Sequence, residues 1–207
     1  MRMTTKLGTL TISLLALCHF ALATVAESDS QAVVEKLHAT LLNIMRDANS
    51  LGFTGRVQML NPVLAETFDF TTIGRIVTGN STEGWNALDN TQRGRFLDVF
   101  AQLSAAAYAS NFDGYSGEFF ETLAVEEKRG HVLVKTVIVK SDGDKVTLDY
   151  VVRENNGLWQ IVNVIASGVS DLSLKRADYT AVIKSEGLDS LIGKLTDKVA
   201  NYTSSGH

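Results

Sequence analysis

The sequence predicts an α+β fold: a helical layer packed on one face of a curved antiparallel sheet of about four meander strands, enclosing an apolar pocket. Two observations carry this prediction. Apolar residues recur at helical spacing over residues 29–112, whereas four short runs rich in Val, Ile and Thr occupy residues 119–166. Because tight-turn sequences separate the later runs, at least three strands should pair in sequential order.

Residues 1–26 have the pattern of a secretory signal peptide. Arg2 and Lys6 precede an apolar run that begins at Leu7, and the small-residue rule permits cleavage after Ala23 or Ala26. We therefore expect the mature chain to be secreted.

A lipoprotein signal is the alternative for this segment. It would use Cys18, but Leu17 before it is larger than the small residue that such processing prefers. We expect cleavage to discard this cysteine. The mature chain would then contain no thiol, which excludes disulfides, thiolate metal sites and a cysteine nucleophile.

The net charge limits the partners that the mature chain can bind, and its length limits the number of domains. Removing residues 1–26 takes away Arg2, Lys6 and no acidic residue, so the formal net charge falls from −4 (19 basic and 23 acidic residues) to −6 (17 and 23). A nucleic-acid partner is therefore not expected. Residues 27–207, about 180 of them, suffice for one domain with a sizeable core.

Three helices are expected before residue 80. Apolar spacing predicts a helix from Asp29 to Ser50 and another from Thr54 to Phe68, in which Pro62 would introduce a kink or a fresh start. A short helix should then end at Gly79, because glycine accommodates a left-handed C-terminal residue.

A long helix should follow the loop 80–88. Asp89 is placed to cap its start, and Gln92 three residues later can close a capping box. The side chains expected to share its apolar stripe are Phe96, Phe100, Leu103 and Ala107.

The four strands are expected at residues 119–127, 131–140, 145–153 and 158–166. Asp142-Gly143-Asp144 and Asn155-Asn156-Gly157 are the tight-turn sequences between them. Alternation in the third strand predicts an inward face formed by Val146, Leu148, Tyr150 and Val152. Two helices should finish the chain, one from Asp171 to about Ser185 and one with an apolar stripe from Leu188 to Val199.

Sequence motifs for catalysis, metal or cofactors are not apparent. The histidines at 19, 38, 131 and 207 have no metal-ligand spacing. Gly79 and Gly84 are spaced like the outer glycines of a phosphate loop, but Trp85 and Asn86 replace the required Lys and Ser/Thr. A small α+β enzyme would have to rely on Asp69, Asp149 and Arg153, which are better explained as a helix cap and two outward-facing strand residues.

The aromatic residues leave two interpretations open. They can fill a solid core, as in a periplasmic interaction or adaptor protein, or they can line a hollow one, as in a carrier. Sequence alone gives both interpretations the same pattern.

A series of short motifs resembles the toluene-tolerance, or MlaC-type, family of periplasmic lipid carriers. The first is Phe68-Asp69-Phe70-Thr71-Thr72-Ile73-Gly74-Arg75, with Gly79 and Trp85 after it. The others follow in family order across nearly the whole mature chain: Gln92-Arg93, Phe96, Phe100, Tyr108-Ala109, Leu148-Asp149-Tyr150, Trp159, Asn163-Val164, Gly168-Val169-Ser170 and Glu186-Gly187-Leu188-Asp189-Ser190-Leu191-Ile192.

This resemblance implies a non-enzymatic carrier without a cofactor or metal. Its sheet and helices would clasp phospholipid acyl chains and leave the head group in water. It would exchange lipid with membrane-bound complexes, which in such systems are an inner-membrane ABC system or hopanoid exporter and an outer-membrane lipoprotein complex.

One departure bears on the ligand. After Ser170 the family pattern has an apolar residue and then Asn-Tyr-Arg, whereas this chain continues from Asp171 to Tyr179 as DLSLKRADY. The variant resembles the branch associated with hopanoid biosynthesis, which makes a rigid polycyclic triterpenoid the alternative ligand to a phospholipid.

Eight residues are the candidate lining of the lipid pocket. They combine the inward face of the third strand with aromatic and aliphatic residues of the neighbouring strand and helix: Tyr108, Phe112, Val146, Leu148, Tyr150, Val152, Trp159 and Ile161. Apolar contact alone can hold such a ligand, because burying one methylene contributes about 0.8 kcal/mol. The charge of −6 further predicts delivery through protein partners rather than adhesion to anionic membranes.

Overall fold

The computed structural model describes residues 29–79 and 84–204, so the predicted signal peptide 1–26 and its cleavage sites lie outside the described residues. Six helices and five strands make up this part of the chain. In chain order they are α1 (Asp29–Arg46), α2 (Ala48–Thr67), α3 (Phe70–Thr78), a 3₁₀ turn (Trp85–Ala87), α4 (Asn90–Asn111), β1 (Phe119–Lys128), β2 (His131–Val139), β3 (Lys145–Asn155), β4 (Leu158–Ala166), β5 (Val169–Ser170), α5 (Asp171–Glu186) and α6 (Leu188–Ser204).

The boundary between the first two helices differs from the prediction. Helix α1 ends at Arg46, and the irregularity in α2 lies at Gly52, whose φ of 57° and ψ of −177° are non-helical. Pro62 lies inside α2 without a break. Its missing N–H removes one backbone hydrogen bond, whereas the positive φ at Gly52 is a conformation that glycine adopts at little cost, so the chain bends there.

Capping fixes the starts of three later helices. The Asp89 carboxylate accepts a hydrogen bond from the Gln92 backbone N–H at 2.8 Å, and the Gln92 side chain accepts one from the Asp89 N–H at 3.0 Å. This is the predicted capping box of α4. Asp69 caps α3 through the Thr72 N–H at 2.8 Å, and Ser170 caps α5 in the same manner.

The sheet is an antiparallel meander in the order β1-β2-β3-β4-β5. Two turns set its register: Asp142 accepts from the Asp144 N–H at 2.9 Å, and Asn156 and Gly157 both have positive φ, as a two-residue hairpin turn requires. The prediction of about four meander strands is confirmed, and β5 adds a two-residue strand at the edge.

The helices cover one face of the sheet. Tyr150 and Val152 on this face are almost fully buried, whereas Thr147 and Arg153 on the opposite face are exposed, as the alternation predicts. Helix α1 packs across the sheet, α2 packs on α1 and α4, and α6 packs on α4 and α5. No helix in the described ranges is long and apolar enough to cross a membrane.

Candidate functional site

A cavity of about 1000 Å³ lies between the helical layer and the inner face of the sheet. This volume is at the upper end of the ~300–1,000 Å³ typical of small-molecule sites. The sheet wall is formed by inward-facing residues of three strands, Ile138, Val146, Leu148, Tyr150, Val162 and Val164. The helical wall is formed by Leu64, Phe68, Phe70, Ile73, Phe100, Leu103, Tyr108 and Tyr179, among others.

The cavity exists because helix α4 packs mainly against α2 and α6 rather than against the sheet. Aromatic pairs hold the helical wall in place: the ring centroids of Phe68 and Tyr108 are 6.1 Å apart, and those of Phe100 and Tyr179 are 6.2 Å apart. Such edge-to-face pairs favour a defined geometry. The helical wall is therefore braced from within the helical layer, and the core is hollow rather than solid.

The mouth of the cavity is charged, in contrast to its interior. It is formed by the first turns of α5, the last turns of α6 and the end of β2. Its polar residues are Lys140, Asp171, Lys175, Asp178, Lys198 and Asn201, and Leu174 beside them is 60% exposed. An amphipathic ligand would fit this arrangement with its apolar part inside and its polar part at the mouth.

Five of the eight predicted pocket residues line this cavity. Val146, Leu148 and Tyr150 come from β3, and Tyr108 and Phe112 come from the end of α4. Burial raises the pKa of the Tyr108 hydroxyl, and the Asp171 carboxylate adds to the effect. The hydroxyl is therefore neutral at physiological pH. Ligand contact by these five residues stays a prediction.

The structure does not bring Val152, Ile161 and Trp159 to the cavity. Val152 and Ile161 are fully buried where the α2–α3 connection covers β4: the Asp69 N–H donates to the Ile161 carbonyl at 3.1 Å. A register shift in the β3–β4 ladder also leaves Val162 as an extra residue between Ile161 and Asn163, so the alternation of faces changes along β4 at this point. Trp159 lines a separate groove of about 280 Å³ beside α1.

A buried polar pair joins helix α1 to the sheet wall of the cavity. The hydroxyl of Tyr150, whose side chain lines the cavity, is 3.0 Å from Nε2 of His38 on α1. The His38 ring stacks on Phe120 with centroids 3.9 Å apart. Desolvation lowers the pKa of His38 to about 4, so its ring is neutral at pH 7.

Much of the helical wall and the whole of the charged mouth were not predicted from the sequence. Ile138 could have been found, because the tight turn 142–144 sets the pairing that places it opposite Val146 on the same face. Tyr179, which is almost fully buried, gave no comparable signal, because its place in the wall depends on how α5 packs on α3 and β4.

The residues considered for an enzyme either have structural partners or are exposed. Asp69 caps α3, Asp149 accepts a hydrogen bond from the Thr136 N–H at 3.3 Å, and Arg153 is exposed on the outer face. Other motif residues have structural roles as well. The Asn163 side chain accepts from the Leu172 N–H at 3.1 Å, which joins β4 to the start of α5.

Comparison with known proteins identifies a family and relatives that this chain resembles. The model of the MlaC protein family matches residues 35–197. The intermembrane phospholipid transport system binding protein MlaC of Haemophilus influenzae is 23% identical over 164 residues, which cover 77% of this chain and 73% of that protein.

A similar solved structure is that of the phospholipid-binding protein from Ralstonia solanacearum in complex with a phospholipid. It superposes with a TM-score of 0.74 at 20% identity, covering 85% of this chain and 99% of that one. The α+β fold is thereby confirmed. Because the family model spans most of the chain from α1 to α6, the chain belongs to the MlaC family.

Proposed function

We propose that this protein is a periplasmic carrier that holds a phospholipid and shuttles it between membrane-bound complexes without catalysing a reaction. The observation that carries the proposal is the cavity of about 1000 Å³ with an apolar interior and a charged mouth. The acyl chains occupy the interior, and the head group lies at the mouth. The phospholipid-binding relatives support the same ligand class.

Apolar burial is sufficient for this ligand. At about 0.8 kcal/mol per buried methylene, an acyl chain of about fifteen methylenes gains roughly 12 kcal/mol before the cost of ordering the chain. A carrier must also release its ligand. Apolar contacts have no preferred direction and the cavity is open at its mouth, so they hinder release of the ligand less than a buried ion pair would. The hollow core supports carriage over the adaptor role that a solid core would suit.

A hopanoid is the second candidate ligand. The departure from the family pattern begins at Asp171, and Asp171, Leu172, Leu174 and Lys175 all line the cavity near its mouth. A change of sequence on the cavity wall is where a change of ligand would be accommodated. The ligand therefore has to be identified by its chemistry.

The test is native mass spectrometry of the protein purified from the periplasm of the source bacterium, followed by solvent extraction and lipid identification. We expect one phospholipid per chain. A hopanoid in the same ratio would retain the carrier role and replace the ligand. Reproducible absence of lipid from a folded protein would overturn the carrier proposal in favour of the adaptor role.

Delivery is proposed to depend on protein partners, an inner-membrane ABC system or hopanoid exporter on one side and an outer-membrane lipoprotein complex on the other. The formal charge of −6 after loss of residues 1–26 (17 basic and 23 acidic residues) disfavours contact with anionic bilayers. Lipid transfer to bare anionic vesicles should be slow. Rapid transfer, measured with a fluorescent lipid, would contradict the need for partners.

The periplasmic location depends on residues 1–26. N-terminal sequencing of the secreted protein should begin at Thr24 or Glu27. A chain that keeps Cys18 as its first residue would instead identify a lipoprotein.

A further inference from the structure

The three lysines at the cavity mouth are not equivalent. Lys175 forms an ion pair with Asp171 on the preceding turn of α5, and Lys198 of α6 lies 3.9 Å from the Asp178 carboxylate. Within residues 29–79 and 84–204, no carboxylate forms an ion pair with Lys140. In this part of the chain, the mouth therefore has one lysine whose ammonium group is not held in an ion pair.

Lys140 is also held in position by its backbone. It follows β2, two residues after the cavity residue Ile138, so its side chain continues the inward row to the mouth. Its N–H donates to the Asp144 carbonyl at 2.8 Å, and its own carbonyl accepts from the Gly143 N–H at 2.9 Å. The tight turn thus fixes where the Lys140 stem begins, while the ammonium group stays exposed at the mouth.

The orientation of the bound lipid places its charged head group next to Lys140. Acyl chains gain free energy only inside the apolar cavity, so the head group must remain among the exposed residues of the mouth. A phosphate there meets two ion pairs that are already neutralised and one free ammonium. Hydrogen bonds from an ammonium to a phosphate oxygen are short and stronger than neutral ones.

We infer that Lys140 binds the phosphate of the lipid head group and makes the carrier selective for anionic phospholipids over uncharged lipids with the same chains. This inference rests on the proposed function and deepens it. The uncharged head group of a diacylglycerol gains nothing comparable from Lys140, so the apolar cavity and the mouth have separate tasks. The cavity sets affinity for chains, and Lys140 discriminates between head groups.

The test is a competition between two lipids. Mature protein is exchanged in detergent with equal amounts of phosphatidylglycerol and diacylglycerol of identical acyl chains, and native mass spectrometry counts both complexes. We expect the unmodified protein to prefer phosphatidylglycerol roughly tenfold. Lys140→Gln should reduce the ratio to near one by lowering the count of the phosphatidylglycerol complex, and Lys140→Arg should retain most of the preference.

Lys145→Gln is the matched control. Lys145 lies across the same hairpin on the outer face, where it pairs with Glu121 at 3.3 Å, and it does not line the cavity. Its loss should leave the lipid ratio unchanged. An equal fall in both variants would show a general charge effect and overturn the assignment to Lys140.

Other outcomes separate this inference from the carrier proposal. Full loading of both lipids without preference would overturn the role of Lys140 and leave the carrier role intact. No loading with either lipid would overturn both. If the lipid-free protein bound inorganic phosphate in calorimetry as tightly as it binds phosphatidylglycerol, Lys140 would belong to a free-anion site and the head-group assignment would fail.

Discussion

Nε2 of His38 lies 3.0 Å from the hydroxyl of Tyr150, and both side chains are buried where α1 crosses the sheet. The pair joins the first helix to the wall of the cavity, because Tyr150 lines the cavity. In this position the Tyr150 hydroxyl has a polar partner within the core, so its burial leaves no orphaned group.

This pair predicts a pH-dependent stability. Burial lowers the pKa of His38 to about 4, below the ~6.5 of an unfolded chain. Between these values the unfolded chain binds a proton that the folded chain does not, so the stabilisation is complete above pH 6.5 and is lost as the pH falls. We expect the free energy of unfolding to fall by about 2 kcal/mol from pH 7 to pH 5 through this residue, as measured by urea denaturation.

Two variants isolate the contribution of His38. His38→Gln retains a polar partner for Tyr150 but cannot be protonated, so its stability should change less between pH 7 and pH 5. His131→Gln removes a partly exposed histidine at the start of β2 and should behave like the parent. If His38→Gln kept the full pH dependence, another group would be responsible.

Local chemistry explains which parts of the fold were predictable. The Asp89–Gln92 capping box and the turn at Asp142 involve residues at most three apart, so the sequence contains both partners. The inward face of β3 follows from a period of two. Because the five predicted residues that reach the cavity lie on β3 or near the end of α4, local periodicity was sufficient to group them.

Long-range packing explains the rest. Ile161 is removed from the cavity by the Phe68–Asp69 connection, more than ninety residues away in the chain, and no local pattern predicts that contact. The hollow core depends on the position of α4, which packs mainly against α2 and α6 rather than against the sheet. Apolar stripes look alike whether they face other side chains or an empty space, so periodicity alone did not distinguish the cavity from a solid core.

Filling the cavity should reduce lipid binding without unfolding the protein. Leu148→Trp adds bulk on the inward face of β3, whereas Thr147→Trp adds the same bulk on the exposed face one residue away. Excluding about two methylenes of the ligand costs about 1.6 kcal/mol, so we expect Leu148→Trp to lower affinity roughly tenfold. Titration with a fluorescent phospholipid measures both variants. Equal affinities would remove Leu148 from the ligand contacts.

Arg56 is expected to stabilise the end of α4 from within the helical layer. Its side chain is buried, and it donates hydrogen bonds to the carbonyls of Ala109 at 2.8 Å and Ala48 at 3.3 Å. Arg56→Met leaves both carbonyls without this donor, but it also removes a buried Nη2 that has no partner. We expect a net loss of about 2 kcal/mol in urea denaturation.

Arg75→Met is the control for Arg56, because Arg75 is exposed on α3. Its stability should change by less than about 0.5 kcal/mol. Similar losses in the two variants would indicate that the Arg56 hydrogen bonds contribute little beyond general charge.

Gly84 is expected to be required for a close contact between backbone segments. A Cβ at this position would lie 2.5 Å from the Thr78 carbonyl oxygen and closer still to that of Gly79, and neither atom belongs to a flexible side chain. The Trp85 N–H donates to the same Gly79 carbonyl at 2.7 Å, so alanine must displace the hydrogen bond that positions the buried Trp85. Overpacking of this kind costs about 2–3 kcal/mol.

Gly94→Ala is the control with the opposite expected effect. Gly94 is exposed in α4, and nothing lies within 4 Å of an added Cβ. Because alanine has the higher helix propensity, this variant should be more stable than the parent by up to about 1 kcal/mol. Urea denaturation of both variants should therefore give changes of opposite sign, and a neutral Gly84→Ala would mean that Gly84 can move away from the Thr78 and Gly79 carbonyls without disturbing the core.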